Sequence, residues 1–416
     1  GFSQGIDSMD FFLALIHLVS RDAATTVKIL TFSSFLMAGF TMYAFAYHYT
    51  SRHLAALSAS LVYCLNQWFF SQLTEMHLHI IFSYALAPLV FLSLDRALQK
   101  RNLKNMLAFA LVLSISFTGF HPQFILIYGF FLSIFFIFYI LASIKSHNFK
   151  INVANILKIF LITVLCFLLS AFSFLPFVFN VRAPYYSQIY GYPIEDAVKH
   201  SYKNIVDAIT LRALESWGYI FLINTYTDLN LPGCPVYTVL LLIFSLAFCT
   251  VFFRRDRYTA FFAFSTIISI FIANGPNSPF GYIFTWAWNN IPHFSVLRAA
   301  SRLAAITAFS SAFFVSNLTD LLVTYIKKRR RVKIEKIFLK AKVVTAQENK
   351  GREVCISLGI LNKAIKHKFF YYLSLIMLIS ILLIGFLACF YFFGHGLQTY
   401  TPVSYTHLTL PTICSV

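Results

Sequence analysis

The sequence predicts an all-α fold, a polytopic transmembrane bundle of about ten helices. Hydrophobic residues make up 59% of the 416 residues and charged residues only 12%, whereas an ordinary soluble domain carries about 25% charged residues. The mean hydropathy is +0.72. The apolar residues also gather in long runs, and a helix needs about 20 such residues to cross the hydrocarbon core of a bilayer.

The apolar runs define the predicted spans in chain order. Nine of them form a transmembrane core over residues 26–325, and a last span follows at 369–394. The nine core spans are 26–47, 54–70, 79–95, 105–119, 123–143, 155–179, 235–253, 258–274 and 299–325. The fourth and fifth are joined only by the stretch FTGFHPQF (117–124), so we expect a tight hairpin that turns at Pro122 and packs inside the bundle.

Basic residues predict the orientation of the spans. Alternate connections carry SRH (51–53), DRALQKRNLK (95–104), KSHNFK (145–150), RRDR (254–257) and the long basic loop 326–368. This side holds 25 Lys and Arg against 6 Asp and Glu, and the other side holds 8 against 9. Because cytosolic loops retain Lys and Arg, the chain is predicted to be a multi-pass cell-membrane protein with cytoplasmic basic loops. Both ends and the His-Pro-Gln turn then face outward.

The first 25 residues are predicted to form an outer loop with an amphipathic helix. Residues 8–20 are too short to span, and Asp10, Ala14, His17 and Arg21 recur at helical spacing. A narrow polar stripe on an apolar helix is typical of a helix that lies in the membrane plane. Asp7 and Asp10 would then lie near lipid headgroups, or they are simply solvated loop acids.

The two ends of the sequence indicate a fragment. The chain opens on GFSQGIDSMD without an initial Met, and VSYTHLTLPT follows the last apolar run. The latter resembles the translation of a transposase-type sequencing adaptor, so residues 403–416 are expected to be a non-native tail.

Histidines mark the second predicted outer connection, SQLTEMHLHI (71–80). His77 and His79 share a side only in extended backbone, whereas Glu75 and His79 share a face only in a helix. All three cannot be ligands in one regular structure. A metal site and a pair of hydrogen-bonded interfacial histidines both remain open.

Two arginines open the predicted span 299–325. In a continuous helix Arg298 and Arg302 lie at i and i+4 on one face, where two guanidinium groups can hold a phosphate or pyrophosphate. An Arg at the start of a span indicates a functional site by default. The alternative is that the side chains reach back to the headgroups, which suits Arg298 better than the deeper Arg302.

The outer loop 180–234 displays tyrosines and further acids. Its rings suit stacking on sugars, or they form an ordinary interfacial aromatic belt. Glu195, Asp196 and Glu215 are candidates for a second carboxylate in an outer site.

The net charge of +18 raises the question of nucleic acid. The run KKRRRVKIEK (327–336) directly follows a span and has few aromatics nearby for base stacking. It is interpreted as a positive-inside anchor that also contacts anionic lipid, with no nucleic-acid partner.

The order of these features over residues 1–325 resembles the YfhO-like membrane proteins of the GT-C group of polytopic glycosyltransferases. The shared features are the outer acids with an in-plane helix, the His-Pro-Gln turn and the Arg-x-x-x-Arg that opens a late span. Phe120 stands where the family pattern has Gly, and Ala300 and Leu303 stand where it has Pro and Phe. The spacing of the His-Pro-Gln and of the two arginines is kept.

The resemblance implies transfer of a sugar from a polyprenyl-phosphate donor to a saccharide, lipid or protein acceptor at the outer face. Asp7 or Asp10 would be the catalytic base or would ligate a divalent cation such as Mg²⁺ or Mn²⁺, and Arg298 and Arg302 would hold the phosphate. Cavity-lining residues would be His77, His79, His121, Gln123 and Glu215. The alternatives are a lipid-carrier flippase or transporter, and a non-catalytic membrane scaffold.

Overall fold

The computed structural model describes residues 8–74, 77–100, 102–116, 122–144, 193–211, 247–254, 256–277, 279–291 and 294–347, together with isolated positions at 157–168 and 244. Throughout these residues the chain is helical or in turns, and none of them lies in a strand. The all-α prediction is confirmed. Contacts divide the chain into two compact units, residues 1–320 and 321–416.

The first described stretch is a series of seven helices. They are α1 (Ser8–Ser20), α2 (Ala23–Thr50), α3 (His53–Cys64), α4 (Gln67–Thr74), α5 (Leu78–Lys100), α6 (Leu103–Ser116) and α7 (Pro122–Ile144). α2 packs against both α3 and α5, and α5 packs against α6. Asp22 begins α2 by accepting a hydrogen bond from the N–H of Thr25 at 2.7 Å.

The later part adds short helices around two longer ones. They are α8 (Ile194–Lys199), α9 (Ile205–Thr210), α10 (Thr250–Phe253), α11 (Arg257–Ala273), α12 (Gly281–Asn290), two 3-10 helices (Phe294–Leu297 and Ala300–Leu303) and α13 (Ala304–Gln347). Asp256 caps α11 through the N–H of Thr259 at 2.9 Å. In the second unit, the described residues continue α13 as far as Gln347.

Three stretches within the described part are long and apolar enough to cross a membrane: Thr25–Thr50, Leu78–Lys100 and Ala300–Ile326. Shorter apolar helices of 10–17 residues occur at His53–Cys64, Leu103–Ser116, Ile127–Leu141 and Arg257–Ala273. The chain is therefore a membrane protein with transmembrane helices. The predicted spans 155–179, 235–253 and 369–394 lie mostly or wholly outside the described residues.

Three sequence-based expectations differ from the structure. The predicted span 54–70 is two helices, because α3 ends at Cys64 and Asn66 starts α4 by accepting the N–H of Phe69 at 2.9 Å. Residues 326–347 continue α13 where a loop was expected. The sequence reading also missed α12, whose ten residues are too few to register as a span.

An aromatic core joins α2, α5, α7, α11 and α13. The ring of Phe131 lies 4.5 Å from Phe91 and 4.9 Å from Phe261, measured between centroids. Phe309 lies 5.0 Å from Phe45 and 5.6 Å from Phe91. All five rings are buried. Aromatic pairs at these separations add about 0.5–1.5 kcal/mol each beyond the area they bury.

Pro88 lies inside α5, and hydroxyl groups from three other helices bind the carbonyls one turn before it. A proline has no N–H, so Pro88 cannot donate to the carbonyl of Tyr84. Tyr63 of α3 donates to Tyr84 O, Tyr128 of α7 to Ser83 O and Thr41 of α2 to Ala85 O, each at 2.6 Å. The proline site in α5 is thereby fixed to α2, α3 and α7.

Candidate functional site

The short helices α8 and α9 pack against the chain that follows α11, and hydrogen bonds fix the contact. The N–H of Tyr202 donates to Ala273 O at 3.1 Å, and Asn277 Nδ2 donates to Tyr202 O at 2.8 Å. The N–H of Ser301 donates to His200 O at 3.2 Å. Three parts of the chain that are distant in sequence thus meet at one end of α11.

Gly275 makes this close packing possible. Its φ of +57° is in the left-handed region, and a Cβ there would collide with the side chain of buried Ser201. A residue with a side chain at position 275 would therefore meet both backbone strain and a steric clash.

Arg298 and Arg302 lie in the turn that this packing holds. Arg298 follows the first 3-10 helix, and Arg302 lies in the second. Ala299 between them has φ −93° and ψ 68°, which is not helical. The expectation that both project from one face of a continuous α-helix is therefore wrong, because α13 begins only at Ala304.

The two arginines are nevertheless neighbours on one short turn. The N–H of Arg298 donates to Ser295 O at 3.0 Å, and the N–H of Arg302 donates to Ala299 O at 3.1 Å. Both residues are half-buried, and Ala300 between them is fully buried. Arg side chains suit phosphate binding, because the guanidinium group presents several N–H donors in one plane. Two of them lie on this turn at the start of a span.

Polar groups of α8 lie beside this turn. α8 contacts the 3-10 helix that precedes Arg298. It carries the exposed Glu195 and the half-buried Asp196, and the carbonyl of Asp196 lies 2.7 Å from His200 Nδ1. Sequence reasoning named the two acids but missed His200, since only the fold shows that its carbonyl binds the arginine turn.

The His-Pro-Gln stretch leads into α7, which also contacts the 3-10 helix before Arg298. Phe124, the residue after Gln123, is buried with its ring 6.3 Å from Trp68 of α4. The helix that starts at Pro122 thus belongs to the group of elements around the arginine turn. The predicted hairpin turn itself, residues 117–121, lies outside the described residues.

His77 and His79 stand at the start of α5, and both are half-buried. The N–H of His77 donates to Gln72 O at 3.1 Å, and its Nδ1 lies 3.1 Å from Gln72 Oε1. In the described part of the chain no three His, Cys, Asp or Glu residues cluster as a metal ion requires. His77 is thus hydrogen-bonded to Gln72, while Glu75, the carboxylate of the metal alternative, lies outside the described residues.

Several predicted site residues lie outside the described residues. They are Asp7, Glu75, His121 and Glu215. Asp10 lies in α1 and Gln123 in α7, but their side chains are not among those described.

A second polar cluster centres on Asp95, which sequence reasoning used only for counting charge. Its carboxylate is almost fully buried and lies 3.1 Å from His48 Nε2. Gln99 Nε2 donates to it at 2.6 Å, and the hydroxyl of Tyr258 also donates to it. Arg257 Nη2 donates to Tyr258 Oη at 2.7 Å.

Asp320 forms the centre of a third group. Arg52 Nε lies 2.6 Å from its carboxylate, and Arg254 also pairs with it. Arg254 Nη1 donates to Asn317 Oδ1 at 2.8 Å. Burial lowers the pKa of Arg254 from its ordinary value. A buried carboxylate between two arginines satisfies its charge without any ligand.

Asp320 pairs with Arg52 of SRH and with Arg254 of RRDR. Asp95, the first residue of DRALQKRNLK, accepts a hydrogen bond from Tyr258, which directly follows RRDR. These three connections, which the sequence assigned to the basic side, therefore lie near one another at one end of their helices. Asp95 and Asp320 occur near the ends of apolar stretches. An acidic residue in such a position is the sequence signal that could have identified them. Their role is structural, since each is met by charged or hydrogen-bonding partners.

Comparison with protein families, with curated proteins and with solved structures found nothing that matches this chain. The assignment of the site residues therefore depends on the fold and on the chemistry of the side chains. What these establish is an all-α membrane protein with a two-arginine turn at the start of a long apolar helix.

Proposed function

We propose that this chain is a membrane glycosyltransferase of the GT-C kind, similar to the YfhO-like proteins, in a bundle of about ten spans. It transfers a sugar from a polyprenyl-phosphate donor to an acceptor on the outer face of the membrane. In this proposal the basic connections are cytoplasmic, and the arginine turn, α8 and α9 face outward.

The observation that carries the proposal is the arginine turn. Arg298 and Arg302 are held on one turn by the hydrogen bond from Ser301 to His200 and by the buried Ala300. The turn overlaps the beginning of the apolar stretch Ala300–Ile326. A lipid phosphate holds its charge at the headgroup region and its acyl or prenyl chain in the hydrocarbon. Arginines at the start of an apolar helix therefore suit a lipid-linked phosphate better than a soluble one.

The chemistry assigned to the site has two parts. The arginines hold the phosphate and stabilise the charge that develops on it as the bond to the sugar breaks. A carboxylate accepts the proton of the acceptor hydroxyl, and Asp7 or Asp10 takes that role in the resemblance. A divalent cation, if one takes part, would be held by the same acids.

Binding of the sugar-free carrier tests the arginine assignment. We expect the full chain in detergent micelles to bind radiolabelled polyprenyl phosphate, and Arg302→Gln to weaken that binding about tenfold to a hundredfold. A hydrogen bond to a charged group contributes about 1.5–3 kcal/mol, and about 1.4 kcal/mol corresponds to tenfold. The matched control is Lys104→Gln, an exposed cation at the start of α6. If Lys104→Gln weakens binding of polyprenyl phosphate as much as Arg302→Gln does, the assignment of Arg302 to the phosphate is wrong.

Transfer tests the acids. Vesicles that contain the chain and a panel of radiolabelled polyprenyl-phosphate hexoses should yield labelled product, and the Asp7→Asn, Asp10→Asn double variant should yield none while still inserting in the membrane. Full transfer by the double variant removes the acid assignment. Carrier movement across proteoliposomes without transfer would favour a flippase, and neither activity would favour a scaffold.

A further inference from the structure

The helix α12 presents a large apolar face that no described part of the chain covers. Tyr282 is 69% exposed, Trp286 60% and Ile283 51%. The opposite face packs inward, with Phe284 6% and Ala287 7% exposed. Tyr282 and Trp286 are four residues apart and therefore share one side of the helix.

The buried face of α12 ties it to the arginine turn. Phe284 packs with Ala197 of α8 and with Ala300 in one buried cluster. Its ring also lies 5.2 Å from Phe294 in the 3-10 helix that precedes Arg298. The depth of α12 in the membrane is thus coupled to the depth of the two arginines.

The exposed face continues the outward surface of α11. On α11, Phe264 and Ile267 are exposed by 46% and 45% and lie three residues apart on one side. Phe271, one turn later, contacts Phe280 with ring centroids 4.6 Å apart, and Phe280 directly precedes α12. The apolar surface of α11 therefore passes without a break onto α12.

Charge and length limit what can cover this face. Residues 274–297 contain no Asp, Glu, Lys or Arg, which is not the composition of a helix face in water. Ten residues span only about 15 Å, about half of the hydrocarbon core. Tyr and Trp rings with one apolar body and one polar group prefer the boundary between headgroups and hydrocarbon.

We propose that α12 is an interfacial membrane helix whose Tyr282, Ile283 and Trp286 insert into the outer-leaflet lipid boundary. The partner of this face is the bilayer itself. The helix thereby sets the arginine turn at headgroup depth. This inference rests on the proposed orientation for the choice of leaflet, but not on sugar transfer, so it stands or fails separately from the transferase activity.

Tryptophan quenching tests the insertion. The full chain is reconstituted in phosphatidylcholine vesicles whose acyl chains are brominated either near the headgroup or near the chain end. Lipid brominated near the headgroup should quench the tryptophan emission most. Trp286→Phe should reduce that quenching about twofold, because a ring at the membrane interface lies close to bromine atoms at that depth. Trp288→Phe is the matched control, since Trp288 is half-buried against Phe284 with ring centroids 5.9 Å apart.

Each other outcome overturns the proposal. If Trp286→Phe leaves lipid quenching unchanged but lowers quenching by aqueous iodide, the face lies in water. If it changes neither, protein covers the face, as in contact with a second copy of the chain. If the bromine near the chain end quenches Trp286 more strongly, α12 enters the hydrocarbon instead of its boundary.

Discussion

The proline in α5 allows a sharp test of what its hydroxyl partners contribute. Tyr63→Phe removes one hydroxyl from a fully buried ring and leaves the Tyr84 carbonyl without the donor that takes the place of the missing N–H of Pro88. An unsatisfied buried carbonyl costs about 1–3 kcal/mol. Interhelical hydrogen bonds in membranes average about 0.6 kcal/mol and reach about 1.7. Because this carbonyl has no helical N–H to fall back on, we expect a loss of about 1–2 kcal/mol in the free energy of unfolding.

The reciprocal substitution is the control. Tyr84 stacks on Tyr63 with centroids 4.2 Å apart, and its hydroxyl donates to Tyr63 O at 3.0 Å. Tyr84→Phe leaves Tyr63 O with a second donor, Asn66 Nδ2 at 2.6 Å. The variant also removes the Tyr84 hydroxyl as an acceptor for Asn66 Nδ2 at 2.8 Å, but Asn66 keeps its bond to Tyr63 O. Because neither the Tyr63 carbonyl nor the Asn66 amide is left unsatisfied, we expect a loss of only about 0.5–1 kcal/mol. The measurement is unfolding of the full chain in mixed detergent micelles by increasing dodecyl sulfate, followed by tryptophan emission. If Tyr63→Phe is no less stable than Tyr84→Phe, the argument from Pro88 is wrong.

Two further substitutions test the packing of charges and backbone. Asp320→Asn leaves Arg52 and Arg254 facing each other without the carboxylate that both of them pair with, and both side chains are about a quarter exposed. Breaking a fully buried pair costs about 3–5 kcal/mol, and partial solvation should reduce this to about 1–3. Adding Arg254→Gln should recover part of the lost thermal stability in detergent, and no recovery would contradict the pairing. Gly275→Ala should lower the unfolding temperature, and Ser201→Gly should restore only part of it, because the left-handed strain at position 275 stays. Complete restoration would show that the clash alone matters.

The helices were largely predictable because apolar runs record them directly. The runs 79–95, 105–119, 123–143 and 258–274 reappear within a few residues as α5, α6, α7 and α11. A hydrophobic run predicts a helix well but does not predict where the helix is interrupted. The break at Asn66 depends on a side chain that caps α4, inside a stretch that is apolar on both sides.

The arginine turn shows a different limit. The i and i+4 argument assumes a continuous helix, and no Gly or Pro between Arg298 and Arg302 signals otherwise. The turn is imposed by contacts with α8, nearly a hundred residues earlier in the chain. The pairing of Asp320 with Arg52 is likewise a long-range event that no local pattern in one sequence reveals. Tertiary packing decides such features.

The partners of Asp95 are synthesised at different times. Tyr258 follows Asp95 by 163 residues, which at about 5–20 residues per second is a delay of roughly 8–30 s on the ribosome. His48 and Gln99 are already in the nascent chain when α5 is complete, so the carboxylate enters the bilayer with partners at hand. Replacing His48 should therefore affect the insertion of the early helices, whereas replacing Tyr258 should affect only the finished bundle.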